Sequence, residues 1–191
     1  MNPLIWHVPA IRRLSLTGIG CWDALSLEFA PALNIVTGTG GSGKSTILRA
    51  IRYAVNPLDN SPYSLAPARP FAPGRIEIEF LGPEISVDWP ARDGAPANPG
   101  KGGRLGQIML ACLRSCLQEK HRGMALLVED DITSCLDDEL YDQAAALLNG
   151  AGKQVICLIH SHRFSAGDFP GARVYRCYIG DEDSHQIEKV Q

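Results

Sequence analysis

Apolar and polar residues alternate in the two-residue rhythm of half-buried strands over residues 11–18 (IRRLSLTG) and 23–28 (DALSLE). Residues 33–37 (LNIVT) make a third strand, short, β-branched and running straight into glycines. The rhythm then changes. Between Lys44 and Val55, the side chains Ile47, Leu48, Ile51 and Val55 fall on one face at helical spacing. Pro57 stops this helix because it has no N–H to continue the ladder. Pro57, Pro62, Pro67, Pro70 and Pro73 predict an irregular crossing, after which alternation returns at 75–82 and 84–89 with Gly82 and Pro83 at the turn. Residues 90–103 (PARDGAPANPGKGG) have linker composition. Beyond them Leu105, Ile108, Met109, Cys112, Leu113, Cys116 and Leu117 form a broad apolar helical face. Two continuous apolar runs, 124–128 (MALLV) and 154–159 (QVICLI), read as strands covered on both sides. Residues 137–148 between them are helical, ended by Asn149 and Gly150, and 173–180 and 185–190 are weaker strands. Helices alternating with buried strands predict an α/β core, a mostly parallel sheet flanked by helices, with an antiparallel β lobe. A length of 191 residues suits one domain, taken as 1–191 with the linker at about 90–103.

The junction of the third strand and the first helix carries chemistry. Gly38-Thr39-Gly40-Gly41-Ser42-Gly43-Lys44-Ser45 fits G-x-x-x-x-G-K-[ST], the P-loop pattern, and it does so in the required place, after a strand and opening a helix. A loop that wraps phosphate must turn successive backbone N–H groups inward, which needs the φ freedom of glycine. The helix N-terminus adds unpaired N–H groups and the positive end of its dipole. Lys44 is expected to reach the β- and γ-phosphates and the Ser45 hydroxyl to ligate Mg²⁺, with Thr46 closing the cradle. ATP and Mg²⁺ are the implied cofactors.

A second candidate centre ends the run at 124–128, where Glu129, Asp130 and Asp131 follow one another. Strands neighbouring a P-loop commonly end in an acid that holds Mg²⁺ through water. Consecutive strand residues point to opposite faces, so the three cannot all face one ligand, and they repel one another unless a cation sits among them. A solvated acidic turn capping the next helix is the alternative.

The net charge is −3 and no run of Lys and Arg appears, which excludes a strongly basic nucleic-acid footprint but leaves room for DNA at a local patch. The six cysteines show no CxxC spacing. Cys112 and Cys116, four apart, are read as free thiols of a reducing compartment rather than half a metal site. The start lacks the pattern of a secretory leader, and no window approaches the roughly 20 apolar residues of a membrane span, so a cytoplasmic protein is expected.

Together these segments resemble the ABC-type ATPase superfamily, in the branch of SMC proteins, RecF and RecN. Residues 33–51 resemble its Walker A region, LLVEDDITSCLD (126–137) its Walker B and D-loop, and QVICLIHSH (154–162) its switch strand. The resemblance implies Asp130 as the Mg²⁺-side acid, Asp131 as the residue positioning water, His160 as the γ-phosphate sensor, and Asp137 as the D-loop acid. The signature motif corresponds to Gly100-Lys101-Gly102-Gly103-Arg104, with Gly102 and Gly103 contacting ATP held by a second subunit. Departures are plain: Lys101 replaces a serine, Asp131 stands where glutamate is usual, Gly40 where asparagine is usual, and no Q-loop glutamine is found. The coiled coils of SMC proteins would fall where only residues 90–103 stand. His162 beside His160 reads as a loop histidine, and Arg12 and Arg13 as a solvated strand edge. The resemblance implies an ATPase head that dimerises around ATP, or pairs with another subunit, in DNA repair, chromosome maintenance or defence against foreign DNA. The alternatives are a transporter's nucleotide-binding subunit, a weakly hydrolysing ATP-sensing module, or, more remotely, a small-molecule kinase.

Overall fold

The computed structural model describes residues 5–55, 74–81, 85–89, 113, 117 and 124–191, with the backbone alone for 85–89, 129, 130, 132 and 135. Ten strands and two full helices are described: β1 (Ile5–Pro9), β2 (Ile11–Ile19), β3 (Trp22–Glu28), β4 (Leu33–Gly38), α1 (Lys44–Val55), β5 (Gly74–Phe80), β6 (Ile85–Trp89), β7 (Met124–Asp131), α2 (Asp138–Asn149), β8 (Val155–His160), β9 (Arg173–Ile179) and β10 (His185–Lys189). The proline-rich crossing, the turn at Gly82–Pro83 and the linker lie outside the described residues. So does the expected helix from Leu105, except Leu113 and Leu117, which are helical and respectively buried and half-buried.

One sheet runs β1-β7-β8-β4-β9-β10 and a second β3-β2-β5-β6. In the first, β7, β8, β4 and β9 are parallel, and the edge strands β1 and β10 are antiparallel. The second is antiparallel throughout. The expected parallel core with an antiparallel lobe is therefore present.

Strand β1 is not legible in the sequence. Ile5 and Val8 are buried while Trp6 and His7 between them are half-buried, so no two-residue rhythm exists, and Pro9 closes the strand. Its ladder, from Ile5 opposite Val128 to Pro9 opposite Met124, covers the edge of β7.

The central strands bury both faces, which is why they read as apolar runs. On one face Val36, Ile156 and Leu158 meet Ile47, Leu48 and Ile51 of α1, and α1 in turn packs against Leu14, Leu16, Ile76 and Ile78 of the second sheet. On the other face Ile35, Val128, Cys157 and Ile159 meet Leu113 and, from α2, Tyr141, Ala144 and Leu148. Helix α1 is thus a wedge between the two sheets. Each fully buried Leu or Ile contributes about 1.5–3 kcal/mol by leaving water.

Two buried amides tie the layers where the chain passes between sheets. Gln154 accepts from Ile11 N (2.8 Å) and donates to Ile11 O and Ala30 O (both 2.8 Å). Asn34 accepts from Ala30 N (2.7 Å) and donates to Ala30 O, Ala32 O and Val155 O. Both are inaccessible to water, so each bond replaces one that water would otherwise supply.

Candidate functional site

Strand β4 delivers the chain to Gly38 in the middle of the large sheet, and α1 leaves from Lys44. The loop between them can turn only because three glycines take conformations closed to other residues: Gly38 at φ 146°, Gly41 at 77° and Gly43 at 90°. Space forbids side chains as well. A Cβ on Gly38 would lie 2.1 Å from the Cys177 carbonyl oxygen, and one on Gly43 would lie 2.5 Å from Cys21 Sγ and 2.9 Å from the Trp22 ring. Gly40 needs no positive φ and has open space around it, so nothing in the structure demands glycine there.

Within the loop, Thr39 O accepts from Ser42 Oγ at 2.8 Å and from the Lys44 ammonium at 2.5 Å. A cavity of about 250 Å³ opens over Gly41, Ser42, Gly43, Lys44, Ser45 and Thr46, with Cys21 on its wall. It holds the free N–H groups of a helix N-terminus and one ammonium, a donor set that fits phosphate oxygens. Lys44 is only 6% exposed. Burial lowers its pKa from the ordinary 10.5, and the nearby Cys177 and Asp131 oppose that shift. An ammonium that burial disfavours is one that an incoming anion would relieve.

The acids stand differently from the expectation. Strand β7 does not neighbour the loop strand: β8 lies between β7 and β4. The register between β7 and β8 slips after Val128, which pairs Cys157, so that Asp131 stands opposite Leu158 and Glu129 and Asp130 are accommodated in a bulge. In an unbroken register Asp131 would stand opposite His160; the slip sets it two residues earlier, and its carboxylate reaches forward to His160 N. Its carboxylate is buried; one oxygen accepts from Thr133 N (2.9 Å) and Thr133 Oγ1 (2.5 Å), the other from His160 N (3.0 Å). The Asp131 charge also raises the pKa of Lys44, so the two are electrostatically coupled across the gap. The Asp130 side chain lies outside the described residues.

His160 stands beside the loop by register, since Gly38 pairs His160 across β4 and β8 and Ser161 N donates to Gly38 O at 3.2 Å. Its ring packs against His162 at 5.4 Å. Asp137 is elsewhere: exposed, it accepts from Leu140 N at 2.9 Å and caps α2. Arg163 fixes that corner by donating to Leu136 O (2.7 Å) and pairing with Asp138 (3.0 Å). Arg12 and Arg13 are solvated and pair with Glu79 and Glu28, but β2 lies between β3 and β5, so they stand on the open face of an interior strand rather than on the strand edge expected of them. Gly102 and Gly103 lie outside the described residues.

The structure thus brings together Gly38–Thr46, Asp131 and His160 and leaves Asp137 on a separate, solvent-facing corner. Sequence reasoning missed Cys21, Trp22 and His185. Trp22 Nε1 donates to Gly43 O at 3.2 Å, and His185 Nε2 lies 3.1 Å from Gly41 O. No spacing rule links residues 22 and 185 to a loop at 38–46; only the folded chain does. The remaining buried thiols are quiet, with burial pushing Cys157 and Cys177 up to about 12.

A family model described as an AAA domain matches residues 13–66, a stretch that contains the whole glycine-rich loop. No curated protein sequence gives a significant match. Solved structures match far more of the chain. An SMC head domain from Thermotoga maritima superimposes with a TM-score of 0.58 at 14% identity, over 95% of this chain and 99% of that one. The chain has the fold of an SMC head. An SMC head bound to the C-terminal winged-helix domain of ScpA matches with a TM-score of 0.61 at 13% identity, covering 96% of this chain and 98% of that one. An SMC head with an extended coiled coil, bound to the C-terminal domain of ScpA derived from Pyrococcus furiosus, matches with a TM-score of 0.59 at 10% identity, covering 96% and 97%. At these identities the likeness is one of fold, and it bears out the SMC-head-like α/β architecture expected from the sequence. Among the described residues no helix is long and apolar enough to cross a membrane.

Proposed function

We propose that the chain binds MgATP in the Gly38–Thr46 loop and hydrolyses it slowly, as an SMC-type head that closes against a second subunit. The observation that carries this reading is the Lys44 ammonium, nearly buried at a helix N-terminus, held on Thr39 O within the glycine-rich loop and within electrostatic reach of Asp131. Lys44 binds the β- and γ-phosphates, and the amides of Gly41 to Thr46 hold the remaining oxygens. Ser45 and Asp130 would hold Mg²⁺, which supplies charge neutralisation between the phosphates when bound. His160 senses the γ-phosphate. Asp131 orients water, in a carboxylate whose donors from His160 and Thr133 hold it in one rotamer.

A second subunit would complete the site. The cradle covers one side of the triphosphate, and Gly102, Gly103 and Asp137 of a facing subunit would cover the other. ATP then joins the two because some of its contacts exist only when both surfaces meet. The likeness to SMC heads, two of them solved with ScpA domains bound, supports a partner protein and a DNA-related setting for this chain. The test is phosphate release and light scattering with and without MgATP. Wild type releases phosphate above a Lys44→Ala control, and Asp131→Asn associates only with MgATP. Monomers in every condition would refute the closure.

A second reading, an ATP sensor that hydrolyses little, is favoured by one feature: both carboxylate oxygens of Asp131 are already engaged by protein donors. MgATP binding with turnover equal to that of Lys44→Ala would select it.

A further inference from the structure

A loop that turns its N–H groups inward turns carbonyls outward, and a side-chain donor on such a carbonyl holds its peptide in that orientation. Thr39 O finds donors inside the loop, in Ser42 and Lys44. Gly41 O and Gly43 O are met by side chains from elsewhere in the chain. His185 Nε2 is 3.1 Å from Gly41 O, and Trp22 Nε1 donates to Gly43 O at 3.2 Å. The two rings also meet each other edge-on, with centroids 6.0 Å apart and planes at 71°. Trp22 is fully buried, and a Cβ on Gly43 would lie 2.9 Å from its ring.

His185 is placed by the β9–β10 hairpin. Gly180 N donates to Ser184 O at 2.8 Å, and Ser184 N and Oγ both donate to Asp181 O. This turn holds His185 opposite Ile179 and Ile187 opposite Cys177. Ile187, two residues on and so on the same face, packs against the core that contains α1. The face that carries His185 is therefore the face on which the loop lies.

We propose that Trp22 and His185 form a clamp on the nucleotide loop, with His185 a positioning residue that holds the Gly41 carbonyl away from the bound phosphates. Without it the Gly41–Ser42 peptide is left to the long Ser42 N–H bond on Thr39 O (3.4 Å), and a peptide that turns over presents an oxygen where the triphosphate needs an N–H. The acceptor is a carbonyl, so His185 carries its hydrogen on Nε2. This inference rests on the reading that the loop binds a nucleoside triphosphate.

The test compares wild type, His185→Ala, His185→Gln and Lys44→Ala by displacement of a fluorescent ATP analogue with MgATP, with a melting curve for each. The clamp predicts that His185→Ala weakens MgATP by about two- to tenfold, the worth of one hydrogen bond, at an unchanged melting temperature. His185→Gln, whose amide can donate to the same carbonyl, restores affinity to near wild type. Equal affinity for wild type and His185→Ala would overturn the clamp, as would a loss that glutamine does not rescue. If wild type itself fails to bind, the nucleotide reading falls, and the clamp is then decided in nucleotide-free protein by ¹⁵N NMR of the histidine ring at pH 8. A neutral ring protonated at Nε2 supports it; one protonated at Nδ1 overturns it. The same spectrum decides the matter if His185→Ala does not fold.

Discussion

Asp131→Asn is the substitution that most separates scaffolding from chemistry in this site. Among the described residues the Asp131 carboxylate accepts two hydrogen bonds from Thr133 and one from His160 N. Asparagine has the same shape but only one acceptor oxygen. If that oxygen keeps Thr133 N, the amide NH₂ faces His160 N–H, donor against donor, 3.0 Å away in the present geometry. Turning the amide moves the conflict to Thr133 N. One backbone N–H is left unsatisfied either way, at a cost of about 1–3 kcal/mol. Relief from burying a charge works in the opposite direction, but it is small where three donors and the Lys44 ammonium already compensate that charge. For a chain of this length the net cost lowers Tm by roughly 2–12 °C. Thermal unfolding followed by circular dichroism without nucleotide is the assay. A Tm equal to or above wild type would show that Asp131 does not hold β7 to the end of β8. Any effect of the variant on ATP-driven association must then be measured well below its own Tm.

Lys44→Ala removes a cation that burial disfavours, so the nucleotide-free variant is expected to melt no lower than wild type at pH 7 while binding MgATP roughly 100-fold more weakly; calorimetry and melting curves read both. The pH dependence carries a sign. Because the folded Lys44 pKa lies below the ordinary 10.5, the unfolded state binds more protons in the window between the two, and this group's contribution to stability rises with pH there. Bound phosphate restores the ammonium, so MgATP binding takes up protons in the same alkaline window, measurable as a binding heat that depends on buffer ionisation enthalpy. Gly38→Ala is expected to abolish soluble expression or nucleotide binding, since its Cβ would sit 2.1 Å from a backbone carbonyl that cannot yield, whereas Gly40→Ala is expected to fold normally. Gln154→Ala opens a gap and takes the side-chain partner from Ile11 N and Ile11 O, while Ala30 O keeps Asn34, lowering stability by about 2–5 kcal/mol in urea unfolding.

Much of the architecture is written locally. The runs at 124–128 and 154–159 are apolar because both sheet faces are covered, and Ile47, Leu48 and Ile51 sit at helical spacing because α1 wedges between two sheets. The glycine loop is legible because each glycine answers to a backbone requirement at its own position. What stayed hidden is long-range. Strand β1 exists only because β7 needs an edge partner. The insertion of β8 between β7 and β4 is a fact of sheet order, and the slip after Val128 that sets Asp131 opposite Leu158 is a fact of register. Gln154 reads as the first residue of a strand, and nothing about it announces a bridge to Ile11. Trp22 meets the loop from 21 residues away and His185 from 144, where no periodicity reaches.

The account stands on a desolvated lysine and a ring of main-chain amides waiting for a triphosphate. Isothermal titration of MgATP into the wild-type chain and into Lys44→Ala tests this most directly. Saturable one-site heat from wild type, lost in the variant while its fold persists, is the predicted result. Folded wild-type protein that gives no heat, or a variant that binds as tightly as wild type, would contradict it.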